Sequence, residues 1–143
     1  DILLAADENG VPVFFPESDA EYDYGEIKIN IYTFEKDEEA LAVSAELNGH
    51  RALIMGDAYK NTELELADRE DLTDTELLVV SHHGSKYASC EAFLNEVSPV
   101  AAVISTGTNS YGHPAHETLD RLAATEAELF RTDLNGRIIM QMN

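Results

Sequence analysis

Apolar and polar residues alternate over Glu26–Phe34 (EIKINIYTF), the pattern of a strand with one buried face. Ala40–Leu47 (ALAVSAEL) repeats it, and Asn48-Gly49 supplies a hairpin turn into a further strand, Arg51–Met55 (RALIM). Ahead of these, residues 1–10 read as the end of a helix stopped at Asn9-Gly10. Val11–Phe15 (VPVFF) reads as a short apolar strand ended by Pro16, and ESDAEYDYGE as polar loop turning at Gly25. Beyond Met55 the pattern changes. Asn61–Arg69 (NTELELADR) is a short helix, Leu77–Ser81 (LLVVS) a strand, and Ser89 the N-cap of a helix through Val97, closed by Ser98-Pro99. Val100–Ser105 (VAAVIS) follows as a strand, and Pro114 opens a helix running to about Ala124. Glu128–Arg131 and Gly136–Met140 (GRIIM) are the last strands. Hairpins followed by strand–helix alternation predict an α/β layer arrangement, with no repeat and no clear linker.

Three of these strands run into residues suited to chemistry. RALIM leads to Gly56-Asp57, LLVVS to His82-His83-Gly84-Ser85, and VAAVIS to Thr106-Gly107-Thr108-Asn109-Ser110 and then Tyr111-Gly112-His113-Pro114. Binding groups in layered α/β proteins gather beyond the carboxyl ends of the strands, where rigid strands deliver converging loops. If the three strands are neighbours running the same way, Asp57, His82 or His83, and His113 meet on one rim. A carboxylate with neutral imidazoles suits zinc, manganese or iron, whereas magnesium and calcium prefer oxygen shells. Adjacent residues leaving a strand point to opposite sides, so one histidine faces a metal while the other braces the loop or meets substrate. Each residue also has a plainer reading. Asp57 after a glycine suits a turn or a helix N-cap, the histidines suit loop positions bonded to backbone, and His113 suits the position before a helix-starting proline. His116 reads as surface, His50 as exposed and inert, Cys90 as a small packing residue. Lys86 and Arg121 are candidate anion contacts or solvated charges.

Composition narrows the field. The 143 residues make one domain or part of one, and 44% apolar content is enough for a core. There are 28 acidic against 9 basic residues, a formal net charge of −19. Such a surface repels phosphate backbones at long range and argues against sequence-independent nucleic-acid grip. The lone Cys90 forbids an internal disulfide. No apolar run approaches the roughly 20 residues of a membrane span. The opening DILLAADENG lacks a signal peptide's basic start and an initiator methionine, which suggests a piece of something longer.

The motifs ALIMGD, LLVVSHHGSKYAS, VAAVISTGTNSYGHPAHETLDRL and LFRTDLNGRIIM, in this order, resemble the C-terminal half of a metallo-β-lactamase-fold hydrolase. The branch most like it is the hydrolase domain of ComEC-type DNA-internalisation competence proteins and its free-standing relatives. The likeness is strong over residues 40–143 and weaker over 1–39, which resembles the linker and paired strands ahead of the glycine–aspartate motif. It implies an α+β chain forming half of an αββα sandwich, with a mixed sheet and helices on one face. It also implies zinc or manganese, two ions in the complete protein. Carried over by position, Asp57 resembles the carboxylate bridging two metals and His83 the last metal-binding histidine, with His82 behind it or as a weaker ligand. Tyr111 and His113 resemble the segment that contacts substrate phosphate or donates a proton, and Ser85 and Lys86 would line the same rim.

Two departures qualify the resemblance. The family's first metal motif, a His-x-His-x-Asp-His run, is missing, since no histidine precedes His50. The usual asparagine–serine segment is replaced by Glu38–Ser44 (EEALAVS). The expectation is therefore a phosphodiester hydrolase when complete, with weak metal binding and little turnover in this chain alone. The partner would be a missing N-terminal half or a second copy, with no direct membrane contact from this chain. Its location would be cytoplasmic if free-standing and extracytoplasmic if part of a competence-type membrane protein. The rival readings are a non-catalytic half-fold serving assembly, and a phosphate- or metabolite-binding module without turnover.

Overall fold

The structure is a computed structural model that describes residues 2–35 and 40–141. The start of the EEALAVS departure therefore lies outside the described residues. Seven strands form one mixed sheet in sequence order: β1 (Ala20–Asp23), β2 (Ile27–Thr33), β3 (Leu41–Leu47), β4 (His50–Ile54), β5 (Thr75–Val79), β6 (Ala101–Ile104) and β7 (Glu128–Arg131). β1 to β4 pair antiparallel, and β4 to β7 run parallel. Parallel neighbours need crossover connections, and here these are the helices α2 (Lys60–Arg69), α3 (Glu91–Val97) and α4 (His116–Ala123). A short α1 (Ile2–Glu8) precedes the sheet and α5 (Thr132–Asn135) follows it. This is an α+β chain. Among the described residues, no helix is long and apolar enough to cross a membrane.

One face of the sheet carries the core. Ala42, Leu53, Leu78, Ala102 and Ile104 project from it against Leu66 of α2, Phe93, Leu94 and Val97 of α3, and Leu122 of α4. All three crossover helices therefore lie on that face. Side chains alternate along a strand, so the register also defines the other face. There one row, Ala20–Ile31–Val43–Ile54–Val79–Val103–Phe130, crosses every strand without a polar residue. Beside it runs Tyr22–Ile29–Ala45–Ala52–Leu77–Ala101. Both rows are half-buried at best for the most part, with Ile54 40% exposed. An αβ half-sandwich with its second sheet face open is the architecture.

Several local expectations are corrected. Val11–Phe15 is not a strand, because among the described residues no strand pairs with it, and Val11 N instead donates to Ala6 O of α1; Phe14 and Phe15 stand in solvent. The segment read as polar loop instead contains β1, whose charged residues Glu21 and Asp23 suit an edge strand. Gly136–Met140 does not pair either; the chain turns through α5 and leaves the sheet at Gly136. β5 begins two residues before its expected start and ends at Val79, which releases Ser81 into the turn that follows. The N-cap position of α3 belongs to Cys90, and Ser89 sits before it with a left-handed backbone. His50 is not free: it is half-buried, with Nδ1 2.9 Å from Glu76 Oε1.

Candidate functional site

The carboxyl ends of β4, β5 and β6 align in register and deliver three loops to one rim. The first turn passes through Gly56 (φ +53), where a Cβ would come within 2.8 Å of Leu41 O, and exposes Asp57. Asp57 does not cap α2, since Tyr59 holds that position. The second loop is the Ser81–Gly84 turn, in which His82, His83 and Gly84 are all left-handed. His82 N donates to Gly56 O (2.8 Å), which staples the second loop to the first. Gly84 lies so close to the third loop that a Cβ would meet Pro114 Cβ at 2.6 Å, and its carbonyl accepts from Ala115 N. Both glycines are therefore required by close approach as well as by dihedral.

The expectation that the two histidines diverge is met, though by consecutive left-handed residues and not by the alternation of a strand. His82 turns inward. Its ring lies 4.7 Å from Tyr59 and 5.7 Å from His113, and its Nδ1 is buried without a hydrogen-bond partner. His83 turns out. Its Nδ1 is 2.7 Å from Ser105 O, and because a carbonyl only accepts, that nitrogen carries the proton. Its other nitrogen, Nε2, points towards Asp57, 3.6 Å from Oδ1, and is the atom a neutral ring would offer to a metal. Two ligands of one tetrahedral zinc sit about 3.4 Å apart, given metal–ligand lengths near 2.1 Å, so this donor pair fits a shared ion in type and spacing. It is nevertheless only a pair. Among the described residues, no group of three or more His, Cys, Asp or Glu converges as a metal site.

The third loop adds a cavity of about 340 Å³ lined by His83, Ser105 to Asn109, Tyr111 and His113. Asn109 organises it. Its Oδ1 accepts from Tyr111 N and His113 N while its Nδ2 donates to Gly107 O and His113 O. Tyr111 is 82% exposed, free to meet a bound molecule. His113 holds its proton less tightly than an ordinary imidazole, chiefly because of desolvation and then because His82 and His83 lie nearby. A wider cleft of about 730 Å³ between α2 and α3 contains none of these side chains and is lined by Glu65, Asp68 and Glu96 among others.

Ser85 is buried, with its Oγ accepting from Tyr87 N and its carbonyl from Thr118 Oγ1, so it supports the loop from behind the rim. Lys86 is exposed but lines a different cavity from His83. Two residues outside the expected set, Glu63 and Tyr59, hold the site together with Arg121, which was expected as an anion contact or a solvated charge. Glu63 of α2 is fully buried and accepts from Ser81 Oγ, Ser89 N and Cys90 N. Arg121 of α4 donates to the carbonyls of Lys86, Ala88 and Ser89, so it is a backbone clamp. Tyr59 packs against His82. Nothing in the helix sequence NTELELADR marks Glu63, whereas Asn109 has a local signal, an asparagine two residues before the Tyr-Gly-His turn.

Fold and rim define an open-faced α+β chain with an aspartate–histidine pair at the carboxyl ends of parallel strands. The chain is similar to proteins of competence and recombination. It is 34% identical over 104 residues to ComE operon protein 3 of Bacillus subtilis, covering 72% of this chain and 13% of that protein. Competence protein ComA of Neisseria gonorrhoeae is 45% identical over 65 residues, 45% of this chain and 9% of ComA. Recombination protein 2 of Haemophilus influenzae is 31% identical over 101 residues, 64% of this chain and 13% of its own length. The chain thus spans about an eighth or less of these relatives. No protein-family model matches it.

Proposed function

We propose that this chain is the C-terminal, ligand-bearing part of a metallo-β-lactamase-type hydrolase linked to DNA uptake, with a phosphodiester as substrate. The observation that carries the reading is His83, whose Nδ1 is held by Ser105 O while its Nε2 faces Asp57 3.6 Å away. The competence and recombination relatives support the DNA-linked part. Zinc or manganese, when bound, would lower the pKa of its water to about 7 and polarise the substrate. The protein's own residues have separate tasks. Asp57 and His83 would hold the ion, and His82, packed on Tyr59, fixes the turn that aims His83. His113 is neutral at pH 7, so it offers a hydrogen bond to a substrate oxygen and not a charge. Tyr111 and the small residues of the third loop would shape the floor on which the phosphoryl group rests.

Two ligands fall short of the three that a catalytic zinc usually has. The remaining ligands would come from further chain, and the same chain would cover the apolar sheet face, which supports a second αβ half packing there. As part of a competence-type membrane protein the site would face away from the cytoplasm. The pair of donors without a third also favours a second reading, a phosphate-binding or assembly module without turnover.

Calorimetric titration of zinc and of manganese decides the metal reading. Uptake by the wild type that is lost in Asp57→Ala and His83→Ala is the expected result. No uptake by the wild type would remove it. Uptake without hydrolysis of an activated phosphodiester such as bis-p-nitrophenyl phosphate selects the second reading for this chain.

A further inference from the structure

Most of the chain's arginines are committed locally: Arg51 donates to Asp71 O, Arg69 pairs with Asp19, and Arg131 pairs with Asp133. Lys60, Lys86 and Arg121 behave differently. They converge on one cavity of about 410 Å³, walled also by Tyr87, Cys90 and Glu91. The wall is built and not incidental. Lys60 N donates to Tyr87 O (3.1 Å), tying the start of α2 to the histidine loop. Arg121 reaches across from α4 and fixes the backbone of residues 86 to 89 through Nε and Nη2, leaving its positive charge beneath the cavity. Neither lysine ammonium has an ion-pair partner among the described residues; Lys86 Nζ lies 4.9 Å over the Tyr87 ring. Three carboxylates lie near the cluster, of which Asp120 shares the adjoining cavity with Arg121 and pairs with His116. Glu91 is on the wall, and Glu63 lies behind Cys90 with its oxygens engaged by Ser81, Ser89 and Cys90. Three cations are thus gathered at one cavity in a chain whose net charge is −19.

The position of this cavity matters as much as its charge. The Ser81–Cys90 segment serves both cavities: His83 lines the one at the rim, Lys86 and Tyr87 the other. Lys60 follows directly on Tyr59, whose ring touches His82. We propose that the Lys60–Lys86–Arg121 cavity is a subsite for a phosphate group of the substrate, next to the one positioned at Asp57 and His83. Ammonium groups free of carboxylate partners bind phosphate as point charges, and the exposed Tyr87 ring offers a face on which a base can stack. The subsite rests on the phosphodiester reading for its purpose. It also offsets, at the one place where it matters, the repulsion between a polyanion and this acidic chain.

Cys90 is the chain's only cysteine and lines this cavity, so its alkylation reports occupancy directly. The rate of modification by iodoacetamide is followed by mass spectrometry, with EDTA present, on the full chain. Sodium phosphate and a single-stranded thymidine hexanucleotide are each compared with sodium chloride at equal ionic strength. Both are expected to slow alkylation in the wild type, and the protection is expected to vanish in Lys60→Gln/Lys86→Gln at unchanged melting temperature. Protection by phosphate alone supports the subsite and assigns it to small phosphate esters. No protection of the wild type, equal protection by chloride, or protection retained in the double variant overturns it. Because metal is excluded, failure here leaves the Asp57–His83 reading standing, and failed metal uptake leaves this one standing.

Discussion

Left-handed dihedrals at His82 and His83 cost residues with a Cβ about 1–2 kcal/mol each. Strain held at adjacent imidazoles, with one nitrogen buried and unpartnered, is what a site tolerates to keep a geometry. A comparison of two variants measures it. His83→Gly should be more stable than His83→Ala by about 1 kcal/mol in urea unfolding, the reverse of the usual order in a regular element. Equal stabilities would mean that the backbone at 83 is relaxed. His113 supplies a pH signature. The unfolded histidine titrates near 6.5, and folding lowers that value, so below about pH 6.5 the unfolded state takes the proton first and stability falls with falling pH. Stability measured from pH 7.5 down to about 5.5 should therefore drop less in His113→Asn than in the wild type. Parallel profiles would show that His113 is not displaced.

At the scale of elements, the histidine turn is supported by helices that never reach the rim. Glu63 on α2 satisfies a hydroxyl and two amides of the Ser81–Cys90 segment, and Arg121 on α4 satisfies three of its carbonyls. Hydrogen bonds to a charged group contribute about 1.5–3 kcal/mol each, and unmet buried donors add a penalty. Glu63→Ala should lower stability by about 3 kcal/mol or more, read as a loss of denaturation midpoint at constant slope. A change below the experimental error would mean the carboxylate is dispensable and the turn self-supporting. Legibility divides along the same line. Strands β2, β3 and β4, the Asn48-Gly49 hairpin and helices α2 to α4 follow from local periodicity and punctuation. Val11–Phe15 and Gly136–Met140 have equally strand-like sequences and fail, because a strand needs a partner strand and among the described residues none pairs with them. Ala20–Asp23 succeeds with a poor sequence because Ile27–Thr33 offers it an edge.

For the whole molecule, the uncovered sheet face dominates. A row of apolar side chains across seven strands, with no helix of the crossover layer on that side, is the kind of patch that seeks a partner. The charge of −19 opposes contact between copies, and salt screens it, so self-association should rise with protein concentration and with sodium chloride. Ile54→Lys, in the centre of the row, should shift light-scattering masses to the monomer while costing about 0.5 kcal/mol or less in stability, since Ile54 is already part-exposed. A wild type that stays monomeric at high salt and high concentration would show that the face is content in water.

The sequence alone determined the central run of elements, from β2 to β7 with α2 to α4, and the chemical type of the rim, because alternation, turn residues and strand-terminal Asp and His are local properties. It placed Asp57, His82 and His83 at loop starts and His113 late in the loop after β6, and parallel pairing of β4, β5 and β6 brought those loops together. The bond from His83 Nδ1 to Ser105 O, the inward turn of His82, the supporting role of Glu63 and the grouping of Lys60 with Lys86 and Arg121 were decided only in three dimensions. Each depends on partners 18 to 61 positions apart, joined by packing that no local pattern encodes.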